Sequence, residues 1–457
     1  MAGVDRPAVS RGAPESRDAD GSRDADANRD ADGRGAVEAV WRIESARVVG
    51  ALARYTGDFS LAEDLAQEAF AEALVTWPRD GAPHHPAGWL LTVGRRRAVD
   101  TFRRRAALDA RYAALARDLG EGGVAAGGDA TSGAVAGPDV DLLADPDRVE
   151  DDVLALMLIA CHPALAREAQ VALTLRVVGG LTSDEIARAF VVPTATVQAR
   201  ITRAKKTLAA VHAPFEVPPP DEWRARLGGV LSVLYLIFTE GSTATSGNEW
   251  IRADLAREAT RLTRVLARLV PDEPEVHGLL ALLELTAARF GARVDDAGEP
   301  RLLDQQDRRR WDRTAIRRGR AALVRAGQVG HGLGPYGVQA AIAECHAVAP
   351  SFDDTDWERI LLLYDALARL APSPVVELNR AVAVSLARGP AAALPAVDAL
   401  VERGALAGSH LLSSVRGELL RRLDRTPEAR LELEIAIRLC RNEPERALLR
   451  RKLDGWT

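Results

Sequence analysis

Cysteine is scarce in this chain: Cys161, Cys345 and Cys440 are its three, far apart and without CxxC spacing. A scattered, odd set argues for a reducing cytoplasm and against a disulfide framework or a zinc site. Lysine is equally rare, with Lys205, Lys206 and Lys452 the only ones among 60 basic residues. Beside abundant alanine, this looks like GC-rich coding and carries no function. No apolar run approaches the ~18 residues that would span a bilayer, and the N-terminus has no hydrophobic signal core. A cytoplasmic protein with no membrane partner is therefore expected. Also missing are a P-loop, a glycine-rich dinucleotide turn and an HExxH motif. Of the eight histidines, His84 and His85 share a proline-rich loop and the others stand alone. These absences lead to an expectation of no enzyme activity, no cofactor and no metal.

What is present is helix. A length of 457 residues suggests two or three domains, and 47% hydrophobic content supplies real cores. The first 36 residues carry the block Arg-Asp-Ala-Asp three times, from Arg17, Arg23 and Arg29. So mixed in charge and poor in apolar side chains, they are expected to be a disordered tail. Residues 37–119 form a first helical unit, 120–147 a Gly/Ala/Asp linker, 148–213 a second unit, and 214–457 a larger helical region that follows proline-rich punctuation. The formal charge of -5 conceals basic clusters at Arg95–Arg105 and Thr194–Lys206. Because a nucleic-acid footprint is local, the global sign does not exclude one.

The second unit ends in LTSDEIARAFVVPTATVQARITRAKKTL, Leu181 to Leu208. Thr182 or Ser183 caps a first helix with Glu185 completing a capping box, and that helix runs to Phe190. Val191-Val192-Pro193 makes the turn, and Thr194 caps a second helix. Val197, Ile201, Ala204 and Leu208 recur at helical spacing and form its buried stripe. Thr194, Thr196, Gln198, Arg200, Arg203 and Lys205, with Lys206, are left for the other faces. From Thr194 to Lys206 there are four basic residues and no acid. This is the composition of a helix-turn-helix whose second helix enters a DNA groove, with Arg and Gln addressing base edges and the remaining charge addressing phosphates. A basic amphipathic helix pair with a solvated face is the plainer alternative.

In the first unit, DFSLAEDLAQEAFAEALVTW (Asp58 to Trp77) places Leu61, Leu65, Ala69 and Leu74 on an apolar stripe, flanked by Glu63, Asp64, Gln67, Glu68 and Glu72. An acidic flank suits a solvated face or a basic partner helix. In PAGWLLTVGRRRAVDTFRRR (Pro86 to Arg105), Trp89, Leu90, Val93, Val99 and Phe102 interleave with six arginines and a single acid, Asp100. Arginines beside aromatics suit melted single strands, where bases stack and phosphates pair. An aromatic core stripe with an exposed basic face remains open.

In the third region, helix starts fall at Asp354-Thr355-Asp356, Gly389-Pro390 and Thr426-Pro427, separated by 35 and 37 residues. Partner stretches lie at Val375–Ala387 and Leu411–Leu423. Helix pairs at this period fit a tetratricopeptide-like solenoid, with a plain helical bundle as the alternative. Asp304, Asp307, Asp356 and Asp365 fit capping or packing better than catalysis.

In AEDLAQEAF, the Trp89 segment and the helix-turn-helix, taken in order, residues 37–212 resemble the extracytoplasmic-function type of bacterial sigma-70 family factors. The stretches YLIFTEG (Tyr235 to Gly241), LLDQQDRRRWD (Leu302 to Asp312), GPYGVQAAIAECHA (Gly334 to Ala347), DTDWERILLLYDAL (Asp354 to Leu367) and SPVVELNRAVAV (Ser373 to Val384) resemble the subset with a tetratricopeptide-like C-terminal extension. The resemblance implies an all-α fold of sigma region 2, region 4 and a helical-repeat extension. It implies core RNA polymerase as partner, with Asp64, Gln67 and Glu68 on the β′ clamp helices and region 4 beside the β flap.

Promoter DNA is the other implied partner. Trp89, Arg95, Arg96, Arg97, Arg103 and Arg104 would take the melted −10 element, and Asp100 would pair with an arginine inside the domain. Gly81, Pro83, His84 and His85 would lie in the loop that holds a flipped base, and Thr194–Lys206 in the −35 major groove. Asp139, Asp141, Asp145 and Asp147 would make the linker acidic where it threads the polymerase RNA exit path. The resemblance also links the extension to small DGPF/YCII-like proteins. Two other functions are weighed against a sigma factor: an autonomous helix-turn-helix regulator with a solenoid sensor, and a solenoid scaffold.

Overall fold

A computed structural model describes residues 18–118, 146–190, 192–242, 251–296 and 299–456. Among these residues there are eighteen α-helices, and the only β-type pairing is an isolated bridge between Val294 and Pro300. The chain divides into two compact units, one of residues 1–153 with 214–216, the other of 154–213 with 217–457.

In the first unit, α1 (Asp18–Thr56), α2 (Phe59–Asp80) and α3 (Pro86–Asp118) pack pairwise. Helix α1 opens at Asp18, so residues 18–36, expected to be disordered, are helical. No proline interrupts the chain between Pro14 and Pro78, so the helix runs on through Asp and the glycines Gly21, Gly33 and Gly35, although these are weak helix formers. Residues 1–17 and the expected linker up to Asp145 lie outside the described residues. Asp58 caps α2 by accepting from the Leu61 amide at 3.0 Å.

The buried face of α2 is Ala62, Leu65, Ala66, Ala69, Ala73 and Trp77, together with Glu63. This corrects the expected stripe: Leu65 and Ala69 hold, while Leu61 and Leu74 are only half-buried. Helix α2 is covered from two sides, by α1 and by α3, and its buried alanines take up little space between them. The same tightness appears at Gly94 of α3, where a Cβ would stand 2.8 Å from Leu52 Cδ1.

The second unit carries most of α4 (Pro146–Ala160), then α5 (Arg167–Val177), α6 (Ser183–Phe190) and α7 (Thr194–Ala210). After these come α8 (Pro220–Ser242), α9 (Ala253–Leu269), α10 (Pro274–Ala287), α11 (Arg313–Val329) and α12 (Pro335–Val348). The series continues with α13 (Trp357–Leu370), α14 (Pro374–Arg388), α15 (Pro390–Glu402), α16 (His410–Arg421), α17 (Thr426–Leu439) and α18 (Glu443–Asp454). The helix-turn-helix and the C-terminal helices share this unit, although the sequence suggested a boundary after residue 213. Helix α5 packs on α8, and Arg261 of α9 donates to the Val178 carbonyl at 3.4 Å.

The expected repeat starts are the observed ones, at α13, α15 and α17, with α14 and α16 as their partners. Asp356 caps α13 through the Arg359 amide at 2.9 Å, and Asp365 pairs with Arg380 at 2.6 Å, so both acids serve structure. Consecutive helices from α12 to α18 pack on one another, and α14 also reaches α16, which is how stacked helix pairs bury a continuous core. Polar clamps hold the stack in register. Arg416 of α16 bridges Asp398 of α15 at 2.8 Å and Glu432 of α17 at 2.6 Å. Glu284 of α10, 3% exposed, is gripped by Arg264 at 2.6 Å and Arg318 at 2.9 Å.

Helices α8 and α9 are in tight contact at Gly241, where a Cβ would lie 2.4 Å from the backbone nitrogen of Ala256. Backbone cannot rotate aside as a side chain can. Gly241→Ala is therefore expected to destabilise the second unit by about 1–3 kcal/mol, seen as an earlier thermal transition, whereas Gly228→Ala, inside α8 with open space around it, should hold or slightly raise the transition, because alanine is the better helix former.

Candidate nucleic-acid interface

The helix-turn-helix is built by local chemistry. Thr182 and Glu185 cap α6 reciprocally: the Glu185 amide donates to Thr182 Oγ1 at 3.2 Å, and the Thr182 amide donates to Glu185 Oε2 at 2.8 Å. After the turn, Pro193 rather than Thr194 is the N-cap of α7, with no side-chain cap bond. Thr194 is the first helical residue, and its hydroxyl donates instead to Asp184 Oδ1 of α6 at 2.7 Å. That bond ties the start of the second helix to the first.

Helix α7 buries Val197, Ile201, Ala204 and Leu208, the expected stripe. With these four inward, Gln198, Arg203 and Lys206 are exposed, and Thr194, Thr196, Arg200 and Lys205 are half-buried at the margins. No carboxylate lies on this helix. The face therefore offers a donor-rich, cationic strip about four turns long, the chemistry that phosphates and base edges accept.

The arginine-rich start of α3 is arranged differently. Arg97 donates to Glu72 Oε2 at 2.6 Å and to Glu68 Oε2 at 3.0 Å, while Arg96 reaches Glu72 Oε1 at 2.9 Å. These bonds clasp α3 to α2. The Arg97 hydrogen bond holds the Glu72 carboxyl below its ordinary pKa, and Glu72 in turn raises that of Arg97. Because the Glu72 pKa is depressed by folding, the clasp stabilises fully above the ordinary carboxylate range and is lost as pH falls through the depressed value.

Arg95 lies over the Tyr55 ring at 5.3 Å, and Trp89, half-buried, meets Trp77 edge-on at 5.5 Å. Arg103 and Arg104 are exposed. Asp100, expected to pair with an arginine, is exposed, and its backbone carbonyl accepts from Arg104 Nε at 3.3 Å. The arginine partners are Glu68 and Glu72 instead. Asp64 is exposed and Gln67 half-buried on the same helix as Glu68. Residues 81–85 form the loop between α2 and α3, with Gly81 at φ 84° closing α2 and His84 and His85 exposed. Composition did not single out Glu72, although Glu68 and Glu72, four apart on one helix face, are spaced to meet a cationic neighbour.

Comparison with known proteins agrees with this geometry. Residues 42–107 match the family described as Sigma-70 region 2, residues 155–208 match Sigma-70, region 4, and residues 226–327 match a family of unknown function, DUF6596. An uncharacterised protein of Rhizobium meliloti (strain 1021) is 44% identical over 422 residues, covering 89% of this chain and 93% of its own. No solved structure matches. The chain belongs to the sigma-70 factors of the extracytoplasmic-function type, with a C-terminal extension. Its two sigma regions imply a role in promoter recognition, with binding to core RNA polymerase and promoter DNA. Sigma-factor families are not enzymes, and no described helix is long and apolar enough to cross a membrane.

Glu72→Gln should free Arg96 and Arg97 from their shared acceptor. The expected result is tighter binding of a single-stranded oligonucleotide by the full chain, with the logarithmic salt slope steeper by up to roughly 1.4, about 0.7 for each released cation. An unchanged slope in a fluorescence-anisotropy salt series would show that the clasp does not withhold these arginines from DNA.

Proposed function

We propose that this protein joins core RNA polymerase as a dissociable specificity subunit, places α7 in the major groove of a −35 element, and takes a melted −10 element along α3. The observation that carries this reading is α7 itself, whose buried stripe leaves an acid-free cationic face outward. Gln198, Arg200 and Arg203 would address base edges; Thr194, Thr196, Lys205 and Lys206 would address phosphates. On α3, the exposed Arg103 and Arg104 and the half-buried Trp89 are the contacts to the melted strand. Arg95, Arg96 and Arg97 shape that surface from the clasp and from Tyr55.

On α2, Asp64, Gln67 and Glu68 would meet the β′ clamp helices, with Glu68 serving both the clasp and the partner. The autonomous-regulator reading accounts less well for region 2, because a solitary DNA reader needs neither the acidic face of α2 nor an arginine-aromatic segment. The extension would act in cis by supporting region 4, a reading supported by their sharing one compact unit. A DGPF/YCII-like partner has no counterpart in these features and forms no part of the proposal.

Reconstituted transcription tests the reading. Core polymerase with this chain should start transcripts at a defined promoter. Arg203→Ala should lower open-complex formation by about 10–100-fold, the loss of one good base contact worth about 1–3 kcal/mol. Failure of the folded chain to support any start would overturn the proposal. Truncation after Pro214 removes α8, one of the helices against which α5 packs, and is expected to abolish or deregulate output; unchanged output under every condition would refute the cis role of the extension.

A further inference from the structure

The end of the helical repeat brings together three side chains that share no motif. His410 is the first residue of α16, Cys440 is the C-cap of α17, and Glu445 lies in the first turn of α18. His410 Nε2 is 3.0 Å from Glu445 Oε1, Cys440 Sγ is 3.8 Å from Glu445 Oε2, and all three donor atoms lie within 4.8 Å of one another. Around a tetrahedral zinc ion, bonds of about 2.0 Å to nitrogen or oxygen and 2.3 Å to sulfur set neighbouring donors roughly 3.3–3.8 Å apart. Only a small closure separates this cluster from that geometry.

Two further observations point to a ligand. His410 Nε2 is buried yet makes no directed hydrogen bond, although a carboxylate oxygen stands beside it. The backbone around the cluster is also held from outside it. Arg446 donates to the Cys440 carbonyl through Nε at 3.0 Å and Nη2 at 2.6 Å, and Asn442, 1% exposed, accepts from the Glu445 amide at 3.1 Å. Cys440 is 1% exposed, whereas the His410 and Glu445 side chains keep 20% and 17% exposure. The sulfur is shielded, and the His410 and Glu445 side chains form the more exposed side of the cluster.

We propose that His410, Cys440 and Glu445 bind one divalent transition-metal ion of the zinc class, with solvent at the fourth position. The donor set decides the class: imidazole and thiolate with one carboxylate suit zinc or cobalt, and calcium or magnesium would require oxygen ligands throughout. The ion would fasten α18 to α16 and α17. The apolar seam there is small, consisting of Leu433, Ala436, Cys440 and Leu449 with Ile437, Leu453 and Trp456 against it. A solenoid depends on its terminal cap, so a metal link at this point would hold the last helix pair closed.

The test uses the full chain after exhaustive chelation. Cobalt(II) titration is expected to saturate at one equivalent with tetrahedral visible bands and a near-ultraviolet sulfur-to-cobalt charge-transfer band, both erased by stoichiometric zinc. Zinc at about a hundredfold over its Kd should raise Tm by roughly 3–5 °C. Cys440→Ser should remove the charge-transfer band, and His410→Ala and Glu445→Gln, at more exposed positions, should weaken binding at least tenfold while circular dichroism shows the fold intact. Cys345→Ser should bind as the parent does. Absence of stoichiometric cobalt binding, or retention of the band in Cys440→Ser, would overturn the site. Neither result bears on promoter recognition, because these readouts need no polymerase.

Discussion

Burial of Val197, Ile201, Ala204 and Leu208 sets the rotation of α7 about its own axis, and the DNA-facing chemistry follows from that rotation. Successive residues on an α-helix are about 100° apart, so moving the buried stripe one position forward would turn Gln198 and Lys205 toward the core, and one position back would turn Arg200 and Arg203 inward. The surrounding devices serve the same end. The Thr182–Glu185 capping box starts α6, Pro193 ends the turn, and the Thr194–Asp184 bond joins the second helix to the first. Each is a short-range interaction, and together they leave one orientation for the cationic face.

Charge is handled differently in the two sigma regions. On α7 the cations have no acid on their own helix. On α3 the first arginines are engaged within the protein, by Glu68 and Glu72 and by the Tyr55 ring, and the later Arg103 and Arg104 are exposed and have no acid as partner among the described residues. A count of arginines therefore overstates the cationic surface of region 2. The paired ones hold two helices at a set spacing, which positions Trp89 against Trp77 and delivers Arg103 and Arg104 to the surface.

Features set by neighbours in the chain were legible in the sequence. Both helices of the helix-turn-helix, the buried stripe of α7 and the starts of α13, α15 and α17 follow from caps, prolines and apolar period, all of them local. Features set by helices meeting in space were not. Pairing of Arg97 with Glu72 spans 25 residues and depends on the rotation of two helices at once. The true inward face of α2 depends on being covered from two sides, so alanines displaced Leu61 and Leu74. His410, Cys440 and Glu445 have no metal-ligand spacing, and only the stacking of the last repeats brings them together. The cap of α7 was misplaced by one residue because a threonine beside a proline looks like a cap, while its hydroxyl found a carboxylate on the preceding helix.

A segment the size of region 4 has little core of its own, since chains of about 60 residues bury a modest share of their surface. Here it borrows one: α5 lies on α8, and Arg261 of α9 reaches the carbonyl of Val178. The stability of the groove-reading helix therefore rests partly on helices outside the matched region 4: α7 packs on α5, and α5 on α8.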